Sequence, residues 1–459
     1  GAANFAADVT FAAGADIITA SAGSSNFRAG VNAGNSITSG GNYNIVVGEN
    51  AGTAITTGDY NVAMGYDALK TETAGAASTA IGAGALQRQI LGNGNDSNNV
   101  GVGYVAGTKV TTGTNNVLLG RAAYEVTTGN DNIAIGTNSL STESTGQRSI
   151  AIGTSSLATQ NFTGTQASYN VAVGYAAGTA VTTGTGNTFI GSLAGDSVTT
   201  AANNTFVGAS CGGATDDGAQ NTAMGSTALN SGNCANGNSA FGSGALEACT
   251  SDSNTAMGQD AGTNLTSGSN NTFLGINAGI TGSPGGNFTS GSNVVVLGNQ
   301  SIGAAHIQVD WTVASDQRDK TDFTALDLGL DFVKALAPVT YKWDKRSKYI
   351  DKTDVTTYNE DGSVDHEGWD ITTDLNTITH DGTHKEDWLD IGFKAQAVQA
   401  LEEAAGYTTA AKKNLTVSTS GDGKQMGIQY SKFIPILVKA IQEQNALIEA
   451  LTVRVTELE

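Results

Sequence analysis

Short apolar runs recur along the first 300 residues, each lying between a polar residue, most often asparagine, and a glycine. Typical copies are 61–65 (NVAMG) and 187–191 (NTFIG). Nine of the fifteen intervals between successive glycines are 17 residues long. Each run therefore predicts a short β-strand with alternate residues facing inward, ended by a glycine that can bend the chain. The sixteen glycines are Gly30, Gly48, Gly65, Gly82, Gly103, Gly120, Gly136, Gly153, Gly174, Gly191, Gly208, Gly225, Gly242, Gly258, Gly275 and Gly298.

A second pattern follows these glycines, because an Ala-Gly or Ala-Leu pair comes three residues later in many copies. One copy cannot bury its own apolar side chains, so successive copies must stack. The pattern predicts a lead-in at 1–25 and a mainly β shaft at 26–305, a parallel β-roll or β-solenoid with coils of about 17 residues. Sixteen coils spaced by about 4.8 Å would form a rod on the order of 75 Å long.

We expect the interior of the shaft to hold small or flexible apolar side chains, namely Ala, Val, Ile and Met. Recurrent asparagines at one position of the repeat predict side-chain ladders between coils. So thin a core should be stabilised by packing against further copies of the chain. The repeat resembles the head repeats of trimeric autotransporter adhesins over about residues 26–300, and this resemblance implies a trimeric β-roll.

The pattern changes after residue 305. Alternation at 306–313 predicts a strand, leucine spacing at 326–336 a helix, and 339–343 a further strand. The chain ends in a long helix at 431–459. Its apolar residues alternate at spacings of three and four, which predicts a coiled coil with one polar position. The predicted seam is Ile434, Leu437, Ile441, Gln444, Ile448, Leu451, Val455 and Leu458.

Charge separates the same two parts. Residues 1–305 hold 6 of the 22 Lys and Arg residues and 16 of the 42 Asp and Glu residues. All four tryptophans and all four histidines lie in the second part. A net charge of −20 disfavours nucleic acid and anionic membranes as partners. No apolar run reaches 18 residues, so we expect no membrane insertion.

The remaining candidate sites are interpreted as ordinary buried or solvated residues. Three cysteines fit no metal spacing and are expected to be small buried thiols. His380 and His384 could ligate a metal, but their Thr- and Gly-containing loop is a poor frame, so we interpret them as solvated. No calcium-loop pattern is present. We therefore expect no metal and no cofactor. The acidic segment 344–390, with Asp-Gly hairpin signals at 361–362 and 381–382, is interpreted as a variable insertion.

Four features of the second part occur in a fixed order: 315–320 (SDQRDK), 336–343 (LAPVTYKW), 391–396 (IGFKAQ) and the terminal heptads. Together they resemble the intramolecular chaperone auto-processing domain of phage tailspikes, endosialidases and tail fibres. The resemblance covers about residues 306–459. It implies an α+β chaperone domain at 306–430, a coiled-coil helix at 431–459 and a homotrimer.

The resemblance also implies a serine peptidase that cuts only its own chain. Ser315 matches the nucleophile and Lys320 its base, with cleavage between Ala314 and Ser315. A serine hydroxyl needs such a base, and a lysine can serve only where burial or a nearby cation favours its neutral form. Asp316 and Arg318 are supporting residues. Arg318 could pair with a carboxylate or act on the lysine, and we favour a role in bracing the turn.

The two resemblances imply a trimeric tail fibre of the virion, made in the host cytoplasm and attached through other tail or baseplate proteins. Its shaft would bind a bacterial surface glycan or another receptor. One alternative is a secreted or prophage-encoded trimeric adhesin, although an autotransporter would end in a membrane barrel. Another is a glycan depolymerase with an intersubunit site, although the first 305 residues lack tryptophan and hold only scattered acids.

Overall fold

The chain divides into two compact units. A computed structural model describes residues 21–92, 95–164, 166–308, 313–349, 353–358, 364–370, 374–408, 415–420 and 422–458. The first unit extends to Asn254, and the second begins at Thr255 and includes Gly244–Leu246.

Thirteen three-residue strands follow one another in the described part of the first unit, each parallel to the next in the chain. Ile45 pairs with Val62 and Thr188 with Thr205, so one repeat advances the chain by one coil. The predicted β-solenoid with coils of about 17 residues is confirmed. The strands are β1 Phe27–Ala29, β2 Ile45–Val47, β3 Val62–Met64, β4 Thr79–Ile81, β5 Val100–Val102, β6 Val117–Leu119, β7 Ile133–Ile135, β8 Ile150–Ile152, β9 Val171–Val173, β10 Thr188–Ile190, β11 Thr205–Val207, β12 Thr222–Met224 and β13 Ser239–Phe241.

In β2 to β13 the central residue is buried and its two neighbours in the strand are not. Ala63 and Phe189 are fully buried, whereas the flanking Met64 and Ile190 are 40% and 41% exposed. The expectation that Ile and Met line the interior is therefore wrong at the strands. A three-residue strand has a single inward position, and its two neighbours must point outward because side chains alternate.

The interior is filled from two positions whose volumes compensate each other. Ala223 at the centre of β12 is followed by a buried Leu229, whereas Phe206 at the centre of β11 is followed by Gly212. A Cβ atom on Gly212 would lie 2.3 Å from the Phe206 ring. Both positions after the strand have a positive φ, 54° at Leu229 and 67° at Gly212. In these two coils, a leucine follows the small strand centre and a glycine follows the large one.

The predicted asparagine ladder is present. Asn187 donates through Nδ2 to the carbonyl of Ala201 at 2.9 Å, and its Oδ1 accepts from the backbone N–H of Asn204 at 2.9 Å. Asn204 repeats the arrangement one coil further on. The column therefore satisfies buried backbone groups of the turns. Its buried members in the first unit are Asn26, Asn44, Asn61, Asn99, Asn116, Asn132, Asn170, Asn187, Asn204, Asn221, Asn238 and Asn254.

In the second unit, β14 (Thr255–Met257), β15 (Thr272–Leu274) and β16 (Val295–Leu297) are parallel neighbours and end the solenoid. A small α+β region follows. It contains α1 (Leu330–Ala335), β17 (Val339–Tyr341), β18 (Thr353–Tyr358), β19 (Val364–Asp370), β20 (Asp390–Gly392), α2 (Ala395–Ala404), β21 (Val417–Thr419), β22 (Met426–Ile428) and α3 (Phe433–Leu458). Three antiparallel strand pairs form: β17 with β20, β18 with β19, and β21 with β22.

The core of this region joins α1, α2, β21 and α3. It is built from Leu328, Phe332, Val398, Val417, Phe433 and Ile436. The helix expected at 326–336 is shorter, since α1 covers only Leu330–Ala335. Strands β18 and β19 pair within the predicted insertion, while the Asp361-Gly362 signal lies outside the described residues. The strand expected at 306–313 also lies partly outside them.

Candidate functional site

The segment that begins at Ser315 forms a tight turn around a 3-10 helix at Gln317–Asp319. The Asp316 carboxylate caps this helix by accepting from the backbone N–H of Arg318 at 2.9 Å. Lys320 follows the helix in an extended conformation. The turn thereby brings together two side chains that are five residues apart in the sequence.

The Lys320 Nζ atom lies 2.5 Å from the Ser315 Oγ atom, within hydrogen-bond distance. A neutral lysine in this position could accept the serine proton, whereas a charged lysine donates a hydrogen bond. Both side chains are exposed in the single chain, as is Ala314. The two atoms therefore lie close enough for a proton to pass between them, but the single chain leaves them open to water.

Arg318 pairs with Asp316 along two edges. Its Nη2 lies 2.6 Å from Oδ2, and its Nε lies 3.1 Å from both carboxylate oxygens. The Arg318 guanidinium, helped by the Arg318 backbone N–H, lowers the pKa of Asp316. The ion pair in turn raises the pKa of Arg318. The ion pair spans the turn, and the bracing role of Arg318 stays a prediction.

Helix α3 has two distinct faces. Phe433, Ile436 and Ala440 are buried against the rest of the domain. The eight heptad positions, from Ile434 to Leu458, are all exposed, including Gln444. The helix thus packs on its own domain through a different set of residues, and the predicted seam is free within one chain.

Sequence reasoning missed two carboxylates that organise this domain. Glu443 of α3 accepts from the backbone N–H of Leu330 at 2.7 Å and thereby caps α1. That hydrogen bond, followed by one from Lys439, lowers the pKa of Glu443. Glu402 is buried in α2 and accepts from the backbone N–H and hydroxyl of Thr416. Glu443 and Leu330 are 113 residues apart, and no sequence spacing could reveal their contact.

His380 and His384 both contact the ring of Tyr349, at centroid distances of 5.9 and 4.7 Å. Both histidines are exposed. Within the described ranges, no group of three or more His, Cys, Asp or Glu residues is placed to hold a metal ion. The two histidines thus form an aromatic cluster with the tyrosine.

The three cysteines are buried thiols without a disulfide, as predicted. Cys234 Sγ donates to the carbonyl oxygen of Cys249 at 2.8 Å, and Cys211 lies in the solenoid interior. Burial raises the pKa of Cys211 to about 12. Their place in the interior indicates packing residues of the shaft.

Residues 315–407, which start at the serine of the turn, match the model of a family described as chaperone of endosialidase. These residues form a chaperone-of-endosialidase domain. The match covers about a fifth of the chain. No curated protein and no solved structure matches the chain.

The chaperone-of-endosialidase domain and the β-solenoid together correspond to the tail-fibre architecture suspected from the sequence. The matched residues include the Ser315 turn, α1 and α2, so the candidate site lies at the first residue of the domain. Among the helices of the described residues, none has the length and apolarity needed to cross a bilayer.

Proposed function

We propose that the chain is a subunit of a trimeric bacteriophage tail fibre, and that its C-terminal domain drives trimer folding and then cuts the chain between Ala314 and Ser315. The observation that carries this proposal is the 2.5 Å contact between Lys320 Nζ and Ser315 Oγ at the start of the matched domain. Ser315 is the nucleophile and Lys320 the base, while Asp316 and Arg318 hold the turn.

The cut follows from simple acyl transfer. Ser315 Oγ adds to the carbonyl carbon of Ala314 while its proton passes to Lys320 Nζ. The C–N bond then breaks, and the Ser315 amine leaves with that proton. Water hydrolyses the resulting ester, which yields the Ala314 carboxylate and frees the serine hydroxyl. The products are fragments 1–314 and 315–459.

Two apolar surfaces support self-association. The exposed heptad positions of α3 form a seam of the kind that coiled coils bury, and the number three comes from the family resemblance. The outward strand positions of the shaft are also apolar, as at Ile45, Met64, Ile190 and Met224, which are 40–45% exposed. Packing against neighbouring chains would bury both surfaces.

Trimer formation also provides a reason for the timing of the cut. Ser315 and Lys320 are exposed in one chain, and a lysine becomes an effective base only in drier surroundings. A neighbouring chain that covers the turn would supply such drier surroundings. Cleavage would therefore follow assembly, which protects an unassembled chain from losing its chaperone too early.

The test is the intact mass of the purified wild-type protein beside Ser315→Ala and Lys320→Met. We expect fragments 1–314 and 315–459 in the wild type and a full-length chain in both variants. Ser301→Ala and Lys334→Met change the same residue types at exposed positions and should be cut normally. An uncut wild-type chain, or cutting in Ser315→Ala, would refute the proposed autoproteolysis.

The shaft is proposed to bind a bacterial surface glycan or another receptor. It is poor in charge and rich in Thr, Ser and Asn. The exposed rings of Tyr43 and Tyr60 stack at 5.0 Å with an angle of 5°, which is a platform suited to a sugar ring. Host-cell adsorption should weaken at least about tenfold in Tyr60→Ala. One aromatic stacking contact contributes roughly 0.5–1.5 kcal/mol, and several subunits that bind the same cell each lose one. Equal adsorption would place the receptor site elsewhere.

A further inference from the structure

The last coil of the solenoid is lengthened by a small loop. Gly275 and Gly298 are 23 residues apart, against the usual 17. The loop at 280–287 is closed by a hydrogen bond from the Phe288 N–H to the Gly279 carbonyl at 2.7 Å. Ser283 is buried, and its hydroxyl bridges the two sides of the loop. The excess residues are therefore an ordered structure.

Two polar contacts join this coil to the α+β region. The Asp422 carboxylate, in the turn between β21 and β22, accepts from the backbone N–H of Asn287 at 2.9 Å. Lys345 Nζ donates to the carbonyl oxygen of Gln300 at 3.0 Å. Both contacts use backbone groups of the coil, so they depend on the backbone conformation of the coil rather than on its side chains.

The two contacts belong to one frame. Asp422 is held in place by Ser420 Oγ at 2.5 Å and by the backbone N–H of Lys424 at 3.0 Å. Arg346, next to Lys345, donates to the Lys424 carbonyl at 2.6 Å. The β21–β22 turn and the 345–346 segment are thereby tied together and approach the coil as a unit.

The last coil and the α+β region do not fill the space between them. A cleft of about 760 Å³ remains, lined from the coil by Gly282 and Gln300 and from the domain by Trp343, Ser347 and Met426. Within the described residues, the Gln300 Oε1 atom is buried without a hydrogen-bond partner. An unpaired buried acceptor weakens an interface because water would satisfy it on separation. Polar contacts around a cleft are typical of interfaces that can come apart.

We propose that the loop at 280–287 and Gln300 form the docking platform of the chaperone domain, and that Asp422 and Lys345 latch the domain to the end of the shaft. Together with the proposed cleavage, this latch implies that fragment 315–459 stays bound to the shaft after the cut. Its release is then governed by the latch, a separate step from peptide-bond hydrolysis.

Two glycines of the loop provide a matched pair for the test. Gly282 and Gly285 have φ values of 90° and 85°, so a side chain strains the backbone equally at both. A Cβ atom on Gly282 would lie 2.6 Å from Cβ of Ser347, whereas one on Gly285 has nothing within 4 Å. Gly282→Ala therefore disturbs docking, and Gly285→Ala controls for strain. Lys345→Met and the exposed Lys385→Met form a second pair.

In the cut protein, the measurement is the rate at which 315–459 separates from 1–314 on dilution, followed by native mass spectrometry. We expect Gly282→Ala and Lys345→Met to accelerate release at least tenfold. Gly285→Ala and Lys385→Met should stay within twofold of the wild type. Release rates that do not differ between the docking variants and their controls would overturn the latch.

Hydrogen exchange in the uncut Ser315→Ala chain tests docking without any cleavage. The amide of Asn287 should be protected, and Gly282→Ala should accelerate its exchange at least tenfold while Gly285→Ala leaves it unchanged. If the wild type is never cut, the proposed maturation fails, yet this exchange result still decides the docking. An Asn287 amide that exchanges equally fast in both variants would refute the platform.

Discussion

Each buried asparagine of the shaft makes hydrogen bonds that one coil could not make alone. Asn61 donates to the Gly75 carbonyl at 2.9 Å, and its backbone N–H donates to Asn44 Oδ1 at 3.0 Å. The asparagine thus connects turns of the chain where backbone groups would otherwise be unpaired. Such groups are costly to leave without a partner inside a protein.

Replacement of Asn187 by alanine should destabilise the shaft strongly. It leaves the Ala201 carbonyl and the Asn204 N–H unpaired, which should lower the free energy of unfolding by about 2–4 kcal/mol. The measurement is the urea midpoint. Asn161→Ala, which removes an exposed amide, is the control and should change little. Equal midpoints for the two variants would contradict a structural role for the ladder.

Two coils depart from the ladder in the same way. Ser78 replaces the asparagine, and Gln89 fills the space by donating to Ser78 Oγ at 2.7 Å and to the buried Glu72 at 3.0 Å. Ser149, Gln160 and Glu143 repeat this network with every residue 71 positions later. The shared offset indicates that a block of four coils has been duplicated.

The compensation of volumes in the core can be tested by exchanging it between coils. Gly212→Leu should lower the free energy of unfolding by about 1–3 kcal/mol, because the new side chain meets the Phe206 ring. Adding Phe206→Ala recreates the pairing of Ala223 with Leu229 and should restore most of the loss. Calorimetry of the two single variants and the double variant measures this coupling. A double variant that loses the sum of both single costs would disprove the compensation.

At the scale of elements, α3 combines two roles on separate faces. Phe433 and Ile436 anchor the helix in the domain core, and the heptad positions remain exposed. A face without a partner inside the chain is a natural place for other copies to bind.

Ile448→Lys should therefore abolish the trimer. A charge in a coiled-coil seam is buried without a partner, which opposes assembly. Native mass spectrometry in the Ser315→Ala background should show the single-chain mass in this variant. Asn445→Lys places the same charge on α3 outside the seam and should leave three chains together. A persistent trimer in Ile448→Lys would rule out this seam.

The cap that α3 provides for α1 makes a prediction about pH. The Leu330 N–H, and then Lys439, lower the pKa of Glu443 below its ordinary 4.5. The charged carboxylate thus stabilises the domain fully above that value, and the stabilisation is lost as the pH falls through the lowered pKa.

Glu443→Gln should accordingly be less stable than the wild type at pH 7, and the difference should shrink as the pH falls through the lowered pKa of Glu443. Tryptophan fluorescence in urea reports on this part alone, because all four tryptophans lie beyond residue 305. Glu449→Gln, an exposed position of the same helix, is the control and should follow the wild type. A difference that does not change with pH would contradict the role of the charge.

At the scale of the whole molecule, the parallel shaft is hard to fold without its chaperone. Near-identical repeats allow chains to pair in slipped registers, and long-range pairing is slow. A C-terminal coiled coil would set the register before the shaft forms. Removing it would leave a shaft whose durability depends on the rate of unfolding.

Heating should distinguish the cut protein from the uncut one. The cut shaft, freed from fragment 315–459, should unfold irreversibly with a midpoint that depends on scan rate. The Ser315→Ala chain keeps its chaperone and should recover most of its transition on a second scan. The measurement is repeated scanning calorimetry. Full recovery of the cut shaft would show that the chaperone is not needed for refolding.

Local spacing alone was enough to predict the solenoid, its coil length and the asparagine column. These features repeat along the chain or depend on residues a few positions apart. Each copy makes the same kinds of backbone hydrogen bonds, so a short pattern that is ambiguous in one copy becomes a reliable prediction when it occurs sixteen times. The pairing of Ser315 with Lys320 came instead from the family resemblance, because a serine and a lysine five residues apart are by spacing alone ordinary surface residues; the local 3-10 helix at Gln317–Asp319 brings them together.

The tertiary structure decided what depends on volume and on distant partners. Met64 looks like a core residue in the sequence, but it points outward because the strand has a single inward position. In two coils, the choice of Leu or Gly after the strand matches the methyl group or ring packed against it. Asp422 meets Asn287 across 135 residues, and Glu443 meets Leu330 across 113. Such contacts are selected by shape and by unpaired backbone groups once the elements have packed, and no sequence period records them.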